Sequence, residues 1–340
     1  MFIFLKLFFK LPAKFLLWLS GKDQIVTKGN RRLDPGFQLL LHYMGDDQAD
    51  FSLPASKIRE EIAKQTKTFS SFAPPFPKSI TFQDHEINRN GNVICIREYV
   101  PKDIQESASS LVYFHGGGWA LLDIESHHRF TAFLAKELNA KVFSVDYSLA
   151  PEKPYPQGLY DCEAAFNWVR ENHKGLAVNP EKISVGGDSA GGNLAAALCL
   201  KCNQEEKYLP RAQLLLYPAT ALDFLHPSIE ELSEGFMLTK EAMLWFRDQY
   251  LSDQSLVYEP LVSPLLAESL SGLPPAVIVT AGFDPLRDEG DRYAESLIKS
   301  GVETHHLTFD GYIHGFANME LISGVDDALK LICDDFKKVF

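Results

Sequence analysis

Within twenty residues the sequence passes from a short β-rich run, 183–185, through Gly187-Asp188-Ser189-Ala190-Gly191 into an alanine- and leucine-rich stretch, 193–202, of helical character. A chain that turns from strand to helix over so few residues must turn sharply. Glycines on both sides of Ser189 let backbone and helix approach where a Cβ would clash. Such a G-x-S-x-G turn is a nucleophile elbow: it exposes a strained serine at a sheet edge, beside the amide dipoles of a helix N-terminus. The pentapeptide alone is common, and an ordinary turn is its bland reading. The strand before it and the helix after it carry the stronger one.

The same alternation runs through most of the chain. Short apolar, β-rich runs at 93–100, 111–114, 141–145, 183–185, 213–217 and 276–280 are interleaved with helical patterns at 129–138, 161–171, 193–202 and 287–300. Nearly continuous apolar strands alternating with helices predict an α/β fold, with a mostly parallel central sheet flanked by helices. Asn90-Gly91 predicts a hairpin, so the sheet should begin antiparallel. Two segments break the alternation. Residues 33–80 look helical and then become proline-rich (Ala73-Pro74-Pro75-Phe76-Pro77), and 222–262 are helical around 239–250. Both are expected to form a helical cap on a catalytic domain spanning 81–340.

His115-Gly116-Gly117-Gly118-Trp119 follows the run 111–114. Three glycines leave backbone amides unobstructed, and two of them with the amide of Ala190 would hold a tetrahedral oxyanion. A phosphate-binding turn is the alternative, but no G-K-[ST] follows. A serine hydroxyl needs a base and an orienting carboxylate. Asp284 lies just past the run 276–280, and His314 past a strand-like run ending near Phe309. Both, like Ser189, then sit at the carboxyl edge of a parallel sheet, where such sheets bind ligands. Asp288 is the rival carboxylate and reads as a salt-bridging residue of the following helical turn. Asp310 reads as placed for a local turn. His115 should orient its own glycine loop. The adjacent pairs His127-His128 and His305-His306 point apart and there is no H-E-x-x-H, so no metal and no cofactor is expected. Trp119, Phe236 and Met237 suggest an apolar substrate pocket, with core packing as their alternative.

Charge separates one end from the rest. The net charge of −12 removes any general pull toward nucleic acid, yet residues 1–32 carry +6 and the remainder −18. Lys6, Lys10 and Lys14 recur every four residues among Phe, Leu, Ile and Trp18, and Pro12 should split the helix. A spanning helix needs ~20 apolar residues, and a secretory core ~7–15 free of such charges. Residues 1–20 are therefore expected to lie in a membrane interface, or else to pack on the body with snorkelling lysines. Five cysteines form no disulfide framework. Cys199 and Cys202, inside an apolar helical run, read as buried small hydrophobes, consistent with a reducing, cytoplasmic setting.

The motifs H-G-G-G-W at His115, G-D-S-A-G-G at Gly187, D-P-L-R-D-E-G at Asp284 and H-G-F at His314, in this order, resemble the hormone-sensitive-lipase-like family of α/β-hydrolase carboxylesterases. Ser144-Val145-Asp146-Tyr147, Leu149-Ala150-Pro151-Glu152, Leu216-Tyr217-Pro218 and Gly235-Phe236-Met237-Leu238-Thr239 resemble further family segments. The resemblance covers about residues 33–340. It implies an eight-stranded, mostly parallel sheet under a helical cap. It also implies cofactor-free hydrolysis of short- to medium-chain carboxylic esters through an acyl-enzyme. By motif position it implies a triad of Ser189, Asp284 and His314, with oxyanion donors Gly116, Gly117 and Ala190. An amidase or deacetylase would share this triad. A ligand-binding homologue would be expected to lack the histidine, which is present here. Two departures are Ser148, where the family usually has Arg, and Leu122, where it often has Gly. They put a supporting ion pair and the loop after the oxyanion strand in question.

Overall fold

The computed structural model describes residues 6–44, 49–69, 75–105 and 107–340. Ala73 and Pro74 of the proline-rich segment and the first five residues of the arm lie outside them. The chain begins with helices α1 (Ala13–Leu19), α2 (Pro35–Met44) and α3 (Ala55–Phe69). A hairpin of β1 (Ile80–Arg89) and β2 (Asn92–Pro101) follows, turned by Asn90 and Gly91 with φ of 52° and 85°. Two left-handed residues match the twist of the flanking strands, which is why Asn-Gly is read so readily.

Strand and helix then alternate: β3 (Ala108–Phe114), α4 (His128–Leu138), β4 (Lys141–Asp146), α5 (Gln157–Glu171), β5 (Val178–Asp188), α6 (Ala190–Gln204) and β6 (Gln213–Leu216). After the helical insertion α7 (Pro227–Glu231) and α8 (Lys240–Tyr250) come β7 (Ala276–Phe283), α9 (Arg287–Lys299), β8 (Thr304–Ile313) and α10 (Val325–Phe336). The sheet order is β8-β7-β6-β5-β3-β4-β2-β1. Strand β2 runs antiparallel to both β1 and β4, and the remaining pairs are parallel. This is the α/β-hydrolase fold, and its parallel strands β3, β5, β7 and β8 all end on one edge.

Every residue of β6 and β7 is buried. That follows from helices covering both faces. One apolar cluster packs α5, α6 and α9 against the sheet, and the other packs α4 and α10 against its opposite face. A third, smaller cluster joins Ile58 of α3 to Ala120 and Leu121, with Trp245 and Phe246 of α8 against it. Helices α3 and α8 thus meet over the loop that follows β3, on the carboxyl edge. Thr239 Oγ1 caps α8 by accepting from the Ala242 amide. Arg59 of α3 anchors this layer through bonds to the carbonyls of Ala120 and Ala150 and a two-pronged pair with Glu152.

Ser148 accepts a hydrogen bond from Asn92 Nδ2 at 3.0 Å through its hydroxyl. Its neighbour Asp161 is buried and receives Arg89 Nε at 2.8 Å, the Ser148 amide at 3.0 Å and Asn92 Nδ2. A cation from β1 therefore meets this carboxylate. Leu122 holds φ +65°, a conformation that suits glycine, which accounts for the family's preference there.

Candidate active site

β5 runs straight into α6, and Ser189 takes the turn between them with φ 54° and ψ −119°, outside the comfortable region of an L-residue. The turn is held from both sides: the Ser189 amide donates to the Leu216 carbonyl, and its carbonyl accepts from the Asn193 amide. A Cβ on Gly191 would stand 2.0 Å from the Phe114 carbonyl oxygen, so the elbow tolerates only glycine there.

Asp284 follows β7 and His314 follows β8, as the sequence predicts. Asp284 is fully buried. One of its carboxylate oxygens accepts the Leu286 amide at 2.8 Å, and the other lies 2.8 Å from His314 Nδ1. His314 Nε2 lies 3.0 Å from Ser189 Oγ. The Tyr217 ring meets the imidazole edge-on at 5.0 Å. Three side chains separated by 125 and 30 residues thus form one hydrogen-bonded line. Asp288 is engaged elsewhere, by Arg287 Nε and the Ser228 amide. Asp310 pairs with Arg31 Nε at 3.0 Å rather than serving a local turn.

The glycine loop corrects the expected donor set. The Gly116 amide donates to the Asp188 carboxylate at 2.9 Å and is not free for a substrate oxygen. The amides of Gly117, Gly118 and Ala190 donate to no acceptor among the described residues, and all three residues border the cavity that holds Ser189. Gly117 has φ +114°, and a Cβ there would meet the Leu121 carbonyl at 2.1 Å. The sequence displays three glycines without saying which amide is already committed.

Asp188 is a further residue of the site. It is buried and also accepts the Tyr113 hydroxyl at 2.6 Å and sits 3.2 Å from His127 Nε2. Burial alone would raise its pKa, but the His127 charge and hydrogen bonds from His127 and Tyr113 outweigh that and hold it below the usual carboxylate range. For His127 burial pulls downward, and the Asp188 and Asp123 carboxylates more than reverse it. His115 has no such carboxylate bond. Burial and the neighbouring His127 push it down to about 4. It stacks on Tyr147 at 4.3 Å with Nδ1 at 2.7 Å from the Gly116 carbonyl, so it does orient its own loop. The signal for Asp188 was its place next to Ser189, since alternation along a strand points its side chain away from the nucleophile.

A cavity of about 1380 Å3 opens over the triad. Trp119 and Met237 border it; Trp119 stacks flat on Tyr250 at 4.4 Å. Phe236 does not border it. Its ring packs on Phe283 at 5.2 Å within the core, which corrects its assignment as a pocket residue. Residues of α2, α3 and α8 supply much of the remaining wall, including Leu41, Ile62 and Phe246.

Fold and site together define a serine-hydrolase arrangement on an α/β-hydrolase sheet, and the comparisons with known proteins specify it further. Residues 111–318 match the family described as alpha/beta hydrolase fold. The chain is similar to carboxylic ester hydrolase LipN of Mycobacterium tuberculosis, at 36% identity over 92% of this chain and 84% of the relative. It is also similar to an arylesterase of Saccharolobus solfataricus, at 37% identity over 76% of this chain and 84% of that one. Among solved structures, the ester-hydrolase EH1AB1 from the metagenome of Lake Arreo superposes with a TM-score of 0.85 at 33% identity, covering 90% of this chain and 98% of the other. The chain belongs to the hormone-sensitive-lipase-like family of α/β-hydrolases.

Proposed function

We propose that the protein hydrolyses carboxylic esters through an acyl-enzyme on Ser189. The observation that carries this is the continuous line from Asp284 Oδ2 through His314 to Ser189 Oγ, at 2.8 and 3.0 Å, at the foot of an apolar cavity. His314 Nε2 takes the hydroxyl proton as Oγ attacks the ester carbonyl carbon. The carbonyl oxygen becomes an anion held by the amides of Gly117, Gly118 and Ala190, where each donor is worth about 10²–10³ in rate. His314 then gives its proton to the leaving alcohol oxygen as the carbon–oxygen bond breaks. Water, deprotonated by the same imidazole, attacks the acyl carbon. Ser189 Oγ leaves with the returned proton and the acid is released. Asp284 accepts Nδ1–H throughout, fixing the tautomer and stabilising the imidazolium.

Esters are favoured over amides by the family and by the names of the relatives, which include a carboxylic ester hydrolase, an arylesterase and an ethyl acetate hydrolase. Short- to medium-chain esters are what the resemblance implies. The test is Ser189→Ala on a soluble ester such as p-nitrophenyl butanoate. Turnover is expected to vanish with the thermal transition retained; wild-type turnover in the purified variant refutes the assignment.

The arm adds a location to this reading. Both alternatives for it have support. Leu16 and Leu17 are buried, α1 packs along α2, and Lys6 pairs with Asp326. Yet Leu7, Leu11, Phe15 and Trp18 remain exposed, Trp18 at 70%. Pro12 separates the turn at 6–8 from α1. Among the described residues no helix is long and apolar enough to cross a membrane. The reading is therefore peripheral attachment of the folded arm to a lipid surface. Sedimentation with anionic vesicles and not with zwitterionic ones is the expected outcome.

A further inference from the structure

The cavity is larger than the reaction on a short ester requires. Ligand pockets commonly measure about 300–1,000 Å3, and this one, partly open to solvent, measures about 1380 Å3. It runs from Ser189 and His314 to Leu40, Leu41 and Met44 of α2, and on to Phe9 of the arm. Phe9 lies beside Gly36 and Ile322, so the arm is part of the cavity's wall. Met44 at the carboxyl end of α2 and Met237 both border the cavity and are exposed, so it reaches the surface at each. His42 also borders the cavity, and a Cβ built on Gly21, just past the end of α1, would lie 3.9 Å from its ring. The arm therefore adjoins the cavity at two places, Phe9 and the end of α1.

The arm carries exposed apolar side chains. Phe15 and Trp18, three residues apart on α1, are exposed and in ring contact at 5.6 Å, and Leu7 and Leu11, on the other side of Pro12, are exposed as well. None of the four borders the cavity. Lys10, Lys14 and Lys22 are exposed around them. A +6 arm on a −18 body is a dipole. An anionic bilayer attracts its basic end and repels the rest, so it orients the molecule as well as binding it. Aromatic and leucine side chains flanked by lysines are the composition that settles at the level of lipid headgroups.

We propose that the substrate is an ester carried by a bilayer-resident amphiphile with a long apolar chain, and that the arm seats the protein on anionic lipid with the cavity opening toward it. This rests on ester hydrolysis by Ser189 and names its substrate class. The apolar chain leaves the bilayer past Met44 and lies along Leu40, Leu41 and Phe9, while its ester carbonyl reaches Ser189. Water remains the second reactant, and a fatty acid and an alcohol are the products. Short soluble esters fill only the inner end of the same cavity and are hydrolysed without any surface.

The full chain is assayed on vesicles of phosphatidylcholine and phosphatidylglycerol containing oleoyl glycerol, and in parallel on soluble p-nitrophenyl butanoate. Two double variants are compared with wild type: Phe15→Glu with Trp18→Glu, and Lys10→Glu with Lys14→Glu. All four side chains are exposed and outside the cavity, so kcat/KM on the soluble ester should stay within about twofold. Each lysine near an anionic surface is worth about fivefold in binding, so reversing two should lower sedimentation and vesicle-borne turnover by well over tenfold. The aromatic pair should do the same. Wild-type chain that ignores the vesicles, or variants that stop sedimenting yet still cleave the bilayer-borne ester at the wild-type rate, overturn the proposal while leaving soluble esterase activity standing. Absence of turnover of both esters in wild type would instead overturn the esterase reading on which the proposal rests.

Discussion

Replacing Asp188 by alanine should damage both the fold and the chemistry, by amounts that follow from its contacts. The carboxylate holds the Tyr113 hydroxyl at 2.6 Å, the Gly116 amide at 2.9 Å and His127 at 3.2 Å, all buried. Breaking a buried ion pair from one side costs about 3–5 kcal/mol. Here burial would strip His127 of its proton once its partner is gone, which keeps the cost at the lower end, about 3 kcal/mol. An unfolding entropy of ~2.1 cal/mol/K per residue gives ~0.7 kcal/mol/K for a chain of this length, so Tm should fall by about 4 °C. The catalytic loss should be larger. Releasing Gly116 frees the loop whose next two amides face the site, and one misplaced oxyanion donor costs about 10²–10³ in kcat. Asparagine keeps an acceptor for Tyr113 and Gly116 and offers an N–H to neutral His127, so Asp188→Asn should retain most of the activity that alanine loses. Differential scanning fluorimetry and steady-state hydrolysis of p-nitrophenyl butanoate measure both quantities. An Asp188→Ala enzyme with Tm within 1 °C of wild type and kcat within about threefold would refute the reasoning.

Two further outcomes follow from the same geometry. Ser189→Gly should be inactive yet slightly more stable, because glycine relieves a φ of 54° that costs other residues about 1–3 kcal/mol and surrenders only part of that in backbone entropy; a lower Tm than wild type would contradict it. The His127–Asp188 pair should stabilise the fold over a bounded pH window. The raised His127 pKa makes its contribution full below the ordinary imidazole value and lost as pH climbs through the raised one, whereas the depressed Asp188 pKa makes its contribution full above the ordinary carboxylate value and lost as pH falls. The Tm gap between wild type and His127→Asn should therefore be widest near about pH 5–6 and narrow toward pH 9. A gap that widens on the alkaline side would contradict the ion pair.

Local chemistry accounts for what could be read in advance. The β1–β2 hairpin follows from Asn90-Gly91, the elbow from glycines around Ser189, and the positions of Asp284 and His314 at the carboxyl edge from their places just beyond strand ends. Each is a property of a few adjacent residues, and neighbouring pattern suffices to state it. Phe236 and Met237 show the limit. They are adjacent and both apolar, yet one is sealed against Phe283 and the other borders the cavity. Burial pattern depends on what packs on each side, which no local run of letters contains.

Sequence alone determined the class of sheet, the placing of Ser189, Asp284 and His314 after strand ends, and the charge split between arm and body, because periodicity, turn chemistry and net charge are additive along a chain. Tertiary structure alone decided which glycine amides are free, that Asp188 holds the glycine loop to the elbow, and that Phe9 of the arm borders the cavity that holds Ser189. Those facts depend on distances between residues far apart in the chain, and only the packed fold sets such distances.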